Sequence, residues 1–196
     1  MARRSDRVQR TADALADAAR ELIRERGYRE TTVEDIASAA GVTPRTFFRH
    51  FESKAAALFA RRDRVLRERF AEALEARPDD EALLDALRAA MRVFATAVDD
   101  NRSWMFEIAR LASDVPEIQD HLESGFDAAG REVIVSWAER RIGAPSVVDP
   151  RPQLVAGLAA ACADAAILRF LAHAGSLDAA ALLEESFDHL DDLLQR

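Results

Sequence analysis

Residues 31–54 read TTVEDIASAAGVTPRTFFRHFESK, and their order predicts two short helices joined by a sharp turn. Val33, Ile36, Ala37 and Ala40 fall at i, i+3, i+4 and i+7, which makes one apolar helical face. Thr31 and Glu34 have the spacing of a capping box and start that helix near Thr32. Gly41 ends it, because glycine accepts the left-handed backbone that closes a helix and turns the chain. Thr43 then suits the N-cap, and Pro44 the first helical position, where no amide proton is needed. Phe47 and Phe51, four apart, turn inward, which leaves Arg45, Thr46, Arg49 and His50 more outward on a helix of about two turns. Such a basic and hydroxylic surface suits phosphates and base edges in a major groove, so the stretch reads as a helix-turn-helix.

Preceded by an amphipathic helix that ends in Gly27-Tyr28, this stretch resembles the DNA-binding domain of TetR-family transcriptional regulators. The resemblance covers roughly the first quarter of the chain and rests on several motifs that agree in order and spacing. It implies a homodimeric, all-helical repressor whose larger C-terminal domain binds a small molecule and thereby changes affinity for a double-stranded DNA operator. On this reading Thr32, Thr43, Pro44, Arg45, Thr46, Phe48, Arg49, His50 and Lys54 are the DNA-binding residues. Arg45 reads bases, since a guanidinium pairs bidentately with guanine, and Thr43, Thr46, Arg49, His50 and Lys54 mainly hold phosphates. Lys54, the only lysine in the sequence, matches the family's lysine at that position and lies in the first turn of the next helix, where the dipole favours an anion. Where the family commonly has tyrosine this chain has Phe48, so a phenolic bond to phosphate is replaced by an apolar contact, for example to a thymine methyl.

Outward from this segment the chain is helical stripe after helical stripe. Val8, Ala12, Leu15, Ala16, Ala19, Leu22 and Ile23 lie at helical spacing before Gly27, and Met1 to Arg4 reads as a loose basic arm. Ser53 caps a longer helix from Lys54 to about Ala76. Further helices are predicted at Asp80–Asp99, Ser103–Ser113, Pro116–Arg141, Pro152–Ala174 and Ala179–Leu194, with no strand pattern. The expected fold is therefore all-α: about nine helices, with residues 1–54 as the helix-turn-helix domain and 55–196 as a larger helical ligand-binding and dimerisation domain. The resembled family pairs its last two helices with their symmetry mates, which implies a twofold homodimer here.

Charge divides the same way. Eleven basic and nine acidic side chains give residues 1–54 about +2, which leaves about −10 on the remainder of a chain whose net charge is −8. An acidic protein is repelled by DNA at long range, so any DNA contact must be local and made by a concentrated basic surface. A single cysteine, Cys162, excludes an intramolecular disulfide framework and suits a reducing cytoplasm. The charged start MARRSDRVQR lacks the apolar stretch of a signal peptide, and the apolar run 154–174 is interrupted by Asp164, Arg169 and His173, which argues against a membrane span.

No catalytic signature stands out: there is no Gly-rich phosphate loop, G-x-S-x-G, H-E-x-x-H or C-x-x-C, and the histidines are widely spaced. No cofactor and no metal site is expected, although His121, Cys162 and His173 are the right residue types for one. The ligand cavity that the resemblance implies has candidate walls in Met91, Phe94, Trp104, Met105, Phe126, Trp137 and Phe170, with Phe106 and Ile108 among further apolar residues. Such walls suit a hydrophobic small-molecule effector. Asp164, in ACADAAILRF, is the sharpest polar candidate to orient it, the alternative being a salt bridge across the dimer or to a nearby arginine. The competing functional class is a helical-bundle carrier of small molecules whose N-terminal segment is only a structural appendage.

Overall fold

Helices of the length and spacing predicted make up this computed structural model, which describes residues 2–100, 102–123, 128–173 and 176–195. They are α1 (Ala2–Arg26), α2 (Val33–Ala39), α3 (Pro44–His50), α4 (Lys54–Glu75), α5 (Leu83–Asp100), α6 (Arg102–Ala112), α7 (Pro116–Glu123), α8 (Ala128–Ile142), α9 (Arg151–Ala172) and α10 (Ala179–Leu194). Among the described residues there is no strand, so the all-α class holds. Two details differ from the expectation. α1 is already helical from Ala2, where a loose arm to Arg4 was expected. Among the described residues ten helical elements are distinguished where about nine were expected, α7 and α8 both falling within the helix expected from Pro116 to Arg141; residues 124–127 lie outside the described residues.

The chain forms two compact units, one up to Val65 and one from Leu66. In the first unit Leu15 and Ala19 of α1, Ile36 and Ala37 of α2, Phe47 of α3 and Ala57 of α4 close a small core with no exposed surface. Burying a phenylalanine there is worth on the order of 2–3 kcal/mol, which a three-helix unit needs. Gly27 and Gly41 adopt positive φ of 85° and 69° at the ends of α1 and α2. At the second end Gly41 N–H donates to Ser38 O and Val42 N–H to Ala37 O, the pair of bonds of a Schellman closure.

α2 starts one residue later than the capping-box reading placed it. Its cap is Thr32, whose hydroxyl accepts from Asp35 N while the Asp35 carboxylate accepts from Thr32 N. Thr31 and Glu34 have the same spacing, but the Thr31 hydroxyl donates to Gly27 O at 2.9 Å and holds the preceding turn instead.

In the second unit α9 packs against α8, α10 and α5. Its buried positions are mostly small, Ala156, Ala159, Ala160, Ala163 and Ala166, so neighbouring helices approach closely. Phe70, Leu87, Met91, Ile134, Trp137, Phe170 and Phe187 fill the remaining space in one continuous core. α5 is tied to α10 by Arg88, which bonds to Glu184 at 2.7 Å and Asp188 at 2.5 Å. Among the described residues α9 alone is long and apolar enough to cross a bilayer by composition, but 44% of that apolar window is buried against other helices of the chain.

Candidate nucleic-acid interface

α3 owes its position to groups that turn inward. Thr43 caps it, accepting from Thr46 N at 3.2 Å, and the two threonine hydroxyls lie 3.1 Å apart. Pro44 occupies the first turn, and Phe47, fully buried, fastens the helix to α1 and α2. Phe51 packs at 5.8 Å from the Phe47 ring, so both predicted inward aromatics face the core. What remains outside is Thr43, Arg45, Phe48 and Arg49, all exposed. Among the described residues neither Arg45 nor Arg49 makes a hydrogen bond or ion pair. Phe48 is 59% exposed, yet its ring stands edge-on to Phe47 at 5.5 Å, which makes it a braced apolar tip. A capped helix about 10 Å long, carrying two free guanidinium groups, hydroxyls and one aromatic tip, matches what enters a major groove.

Not every expected residue stands on that face. Thr32 is exposed, but its hydroxyl is engaged in capping α2. Thr46 is half-buried, and so is His50, whose Nε2 is turned inward without a partner. Burial, with the neighbouring Arg49 charge, lowers the His50 pKa and so disfavours the charged ring that would pair best with a phosphate. Lys54 departs furthest from the expectation. Its Nζ donates to Tyr28 O and to Thr31 O, each at 2.9 Å, and lies 4.3 Å from the centre of the Tyr28 ring. No sequence signal near Lys54 announces those partners, which are backbone carbonyls of a distant turn.

The candidate effector residues distribute unevenly. Met91, Met105, Trp137 and Phe170 are buried in the core of the second unit, with Trp104 half-buried against it. Phe106, an expected wall residue, points outward at 41% exposure. Phe94 lies in α5, its side chain outside the described residues, as is Phe126 altogether. Asp164 Oδ1 is buried without a partner, and burial raises its carboxyl pKa against the opposing pull of Arg131. A cleft of about 300 Å³ opens between α4 and α8, lined by Leu74, Glu75, Val133, Ser136, Trp137 and Arg140 among others. Of the expected wall residues Trp137 lines it. Glu75 and Arg140, which pair across the cleft, are surface charges far apart in sequence, and nothing local marks them as neighbours. Cys162 donates weakly to Ser186 O at 3.7 Å, and burial pushes its thiol up to about 11, so it is a packing residue. Among the described residues no three His, Cys, Asp or Glu side chains cluster as a metal ion requires.

Comparison with known proteins agrees with this architecture. Residues 15–61 match the profile described as bacterial regulatory proteins of the tetR family, and residues 81–195, more than half the chain, match the MftR C-terminal domain. The HTH-type transcriptional regulator TcmR of Streptomyces glaucescens is 43% identical over 97 residues, which are 50% of this chain and 42% of that one. The chain thus spans under half of that relative's length. MftR of Mycobacterium tuberculosis, named for mycofactocin biosynthesis, is 33% identical over 146 residues, 74% of this chain and 72% of its own. Among solved structures, Thermus thermophilus FadR, a TetR family transcriptional repressor crystallised with lauroyl-CoA, aligns with a TM-score of 0.53 and 24% identity over 90% of this chain and 91% of that one. That last likeness speaks to the fold alone. A helix-turn-helix held by its own caps, followed by a helical domain matched along most of its length, defines one lineage: the chain belongs to the tetR family of DNA-binding transcriptional regulators.

Proposed function

We propose that this protein is a repressor that works in the cytoplasm as a homodimer on a pseudo-palindromic operator and is released by a hydrophobic small-molecule effector. The observation that carries the reading is the outer face of α3, where Arg45 and Arg49 are exposed and uncommitted while the helix itself is fixed by Thr43, Pro44 and Phe47. Residues 1–54, extended by the first turns of α4, are the DNA-reading part, and the remainder holds effector and dimer. Two such helices would enter successive major grooves about 34–36 Å apart. Arg45 reads guanine, Phe48 offers an apolar contact to a thymine methyl, and Arg49 with the Thr43 hydroxyl holds phosphate.

Dimerisation through α9 and α10 is supported by an apolar ridge left on α9. Leu154, Gly157, Ala161, Ala165 and Leu168 are exposed at three- and four-residue spacing, and Leu193 and Leu194 are exposed at the end of α10. Exposed leucines joined by small residues in this way suit a surface that pairs with another helix. The effector reading draws on the cleft beside Trp137 and on Asp164, an unpartnered buried carboxyl oxygen that suits a hydrogen-bonding group of the ligand. Binding would shift helices of the second unit and weaken operator affinity through a coupling of roughly 1–3 kcal/mol.

The test is Arg45→Ala, assayed on the DNA upstream of its own gene with single-base variants of the site. Affinity should fall by about 1–3 kcal/mol, with discrimination relaxed at one position of each half-site. Unchanged affinity and unchanged base preference would refute the assignment. A carrier, the competing class, would show no affinity that declines steeply as salt rises.

A further inference from the structure

We propose that Lys54 is a positioning residue: its ammonium straps the first turn of α4 to the turn between α1 and α2, and this strap, rather than a lysine–phosphate contact, is its contribution to operator binding. The inference rests on the DNA-binding reading above. Nζ donates to two backbone carbonyls, Tyr28 O and Thr31 O, both at 2.9 Å, while the Tyr28 ring covers it at 4.3 Å. Both acceptor residues are buried, Tyr28 at 4% and Thr31 at 1% exposure. The neighbouring carbonyl, Gly27 O, takes the Thr31 hydroxyl, so the turn is closed by side-chain donors on Thr31 and Lys54. An ammonium has three donors in all, and two of these point into the protein, with an aromatic face adding to the attraction for its charge. A phosphate arriving from solvent would compete with contacts that are already short and shielded.

The mechanical meaning lies in what the turn leads into. Thr31 adjoins Thr32, the cap that starts α2, and α2 packs against α3. α4 begins at Lys54 itself, with Ala57 in the core shared with Phe47. Removing the ammonium takes one charged donor from each of the two carbonyls and frees the start of α2 to move relative to α4. The reading face on α3 would then keep its side chains but lose its fixed aim.

Lys54→Met keeps the apolar stem and deletes the charge. Binding of folded wild-type and variant protein to the upstream DNA, followed by fluorescence anisotropy at several salt concentrations, separates the two roles. A strap predicts an affinity loss of about tenfold with the slope of log K against log salt unchanged. A phosphate ligand predicts a slope reduced by about one for each reading head, and that result, or an unchanged affinity, overturns the proposal. A second measurement needs neither DNA nor a folded variant. Because the sequence holds a single lysine, acetylation by a succinimidyl ester followed by peptide mass spectrometry reports on this one side chain. In the wild-type protein Lys54 should be protected until denaturant is added; labelling as fast in the folded as in the denatured protein overturns the strap. Should wild-type protein show no salt-dependent DNA binding, the operator reading fails, and the labelling result still decides the strap.

Discussion

His50 sits at the end of α3 yet behaves as part of the scaffold. Its Nε2 is buried, its ring lies 6.3 Å from that of Phe51, and burial together with the Arg49 charge depresses its pKa below the usual 6.5. The folded state therefore holds the neutral ring, whereas the unfolded chain takes up a proton near pH 6.5. Between those two pKa values the unfolded state binds more protons, so stability is full above 6.5 and declines as pH falls through that value towards the folded pKa. Thermal unfolding followed from about pH 7.5 to 5.5 should show a smaller decline in His50→Gln than in the wild type. Parallel pH profiles for the two proteins would contradict the assignment. Arg45, Phe47 and Phe48 were legible in the sequence because one helical period separates inside from outside over seven residues. His50 and Lys54 were not, because their surroundings come from other parts of the chain: the two carbonyls that hold Lys54 belong to a turn more than twenty residues earlier.

At the level of the element, the joint between α2 and α3 shows which local signals were decisive. Gly41, Thr43 and Pro44 each have a conformational reason for their place, and the chain follows all three. The start of α2 was harder to read, since Thr31–Glu34 and Thr32–Asp35 offer the same spacing one residue apart. The tie is broken by Gly27 O, which draws away the Thr31 hydroxyl, and no pattern within α2 contains that information. A β-carbon at Gly41 would meet no atom within 4 Å, so Gly41→Ala isolates the cost of the left-handed backbone. That cost should be about 1–2 kcal/mol, read as a lowered denaturant midpoint with an unchanged slope. A loss near zero would mean that the turn is not held at its positive φ.

For the whole molecule, the acidic excess and the apolar ridge of α9 set the terms. An exposed leucine on a monomer is unremarkable, and replacing it by a charge changes stability by no more than about 0.5 kcal/mol. In a dimer closed through α9 the same charge would be buried without a partner. Leu168→Glu, at a position 51% exposed within one chain, should therefore leave the helical content unaltered and convert a dimer into a monomer in sedimentation velocity. A variant that sediments as the wild type removes α9 from the interface. Ridge and core of α9 are both apolar, which is why the sequence showed an apolar run over 154–174 without showing which side faces its own chain.

The separation of duties on α3 has an evolutionary corollary. Shape depends on Gly41, Thr43, Pro44 and Phe47, while Arg45 and Arg49 are exposed without hydrogen bonds and Phe48 only leans edge-on against Phe47. Exchanging those three for other polar or aromatic residues would leave folding free energy nearly untouched. On the proposed function, retargeting to a different promoter is then nearly neutral for the fold, and descendants of this chain can explore new regulons by point mutation without first acquiring compensating stabilisers.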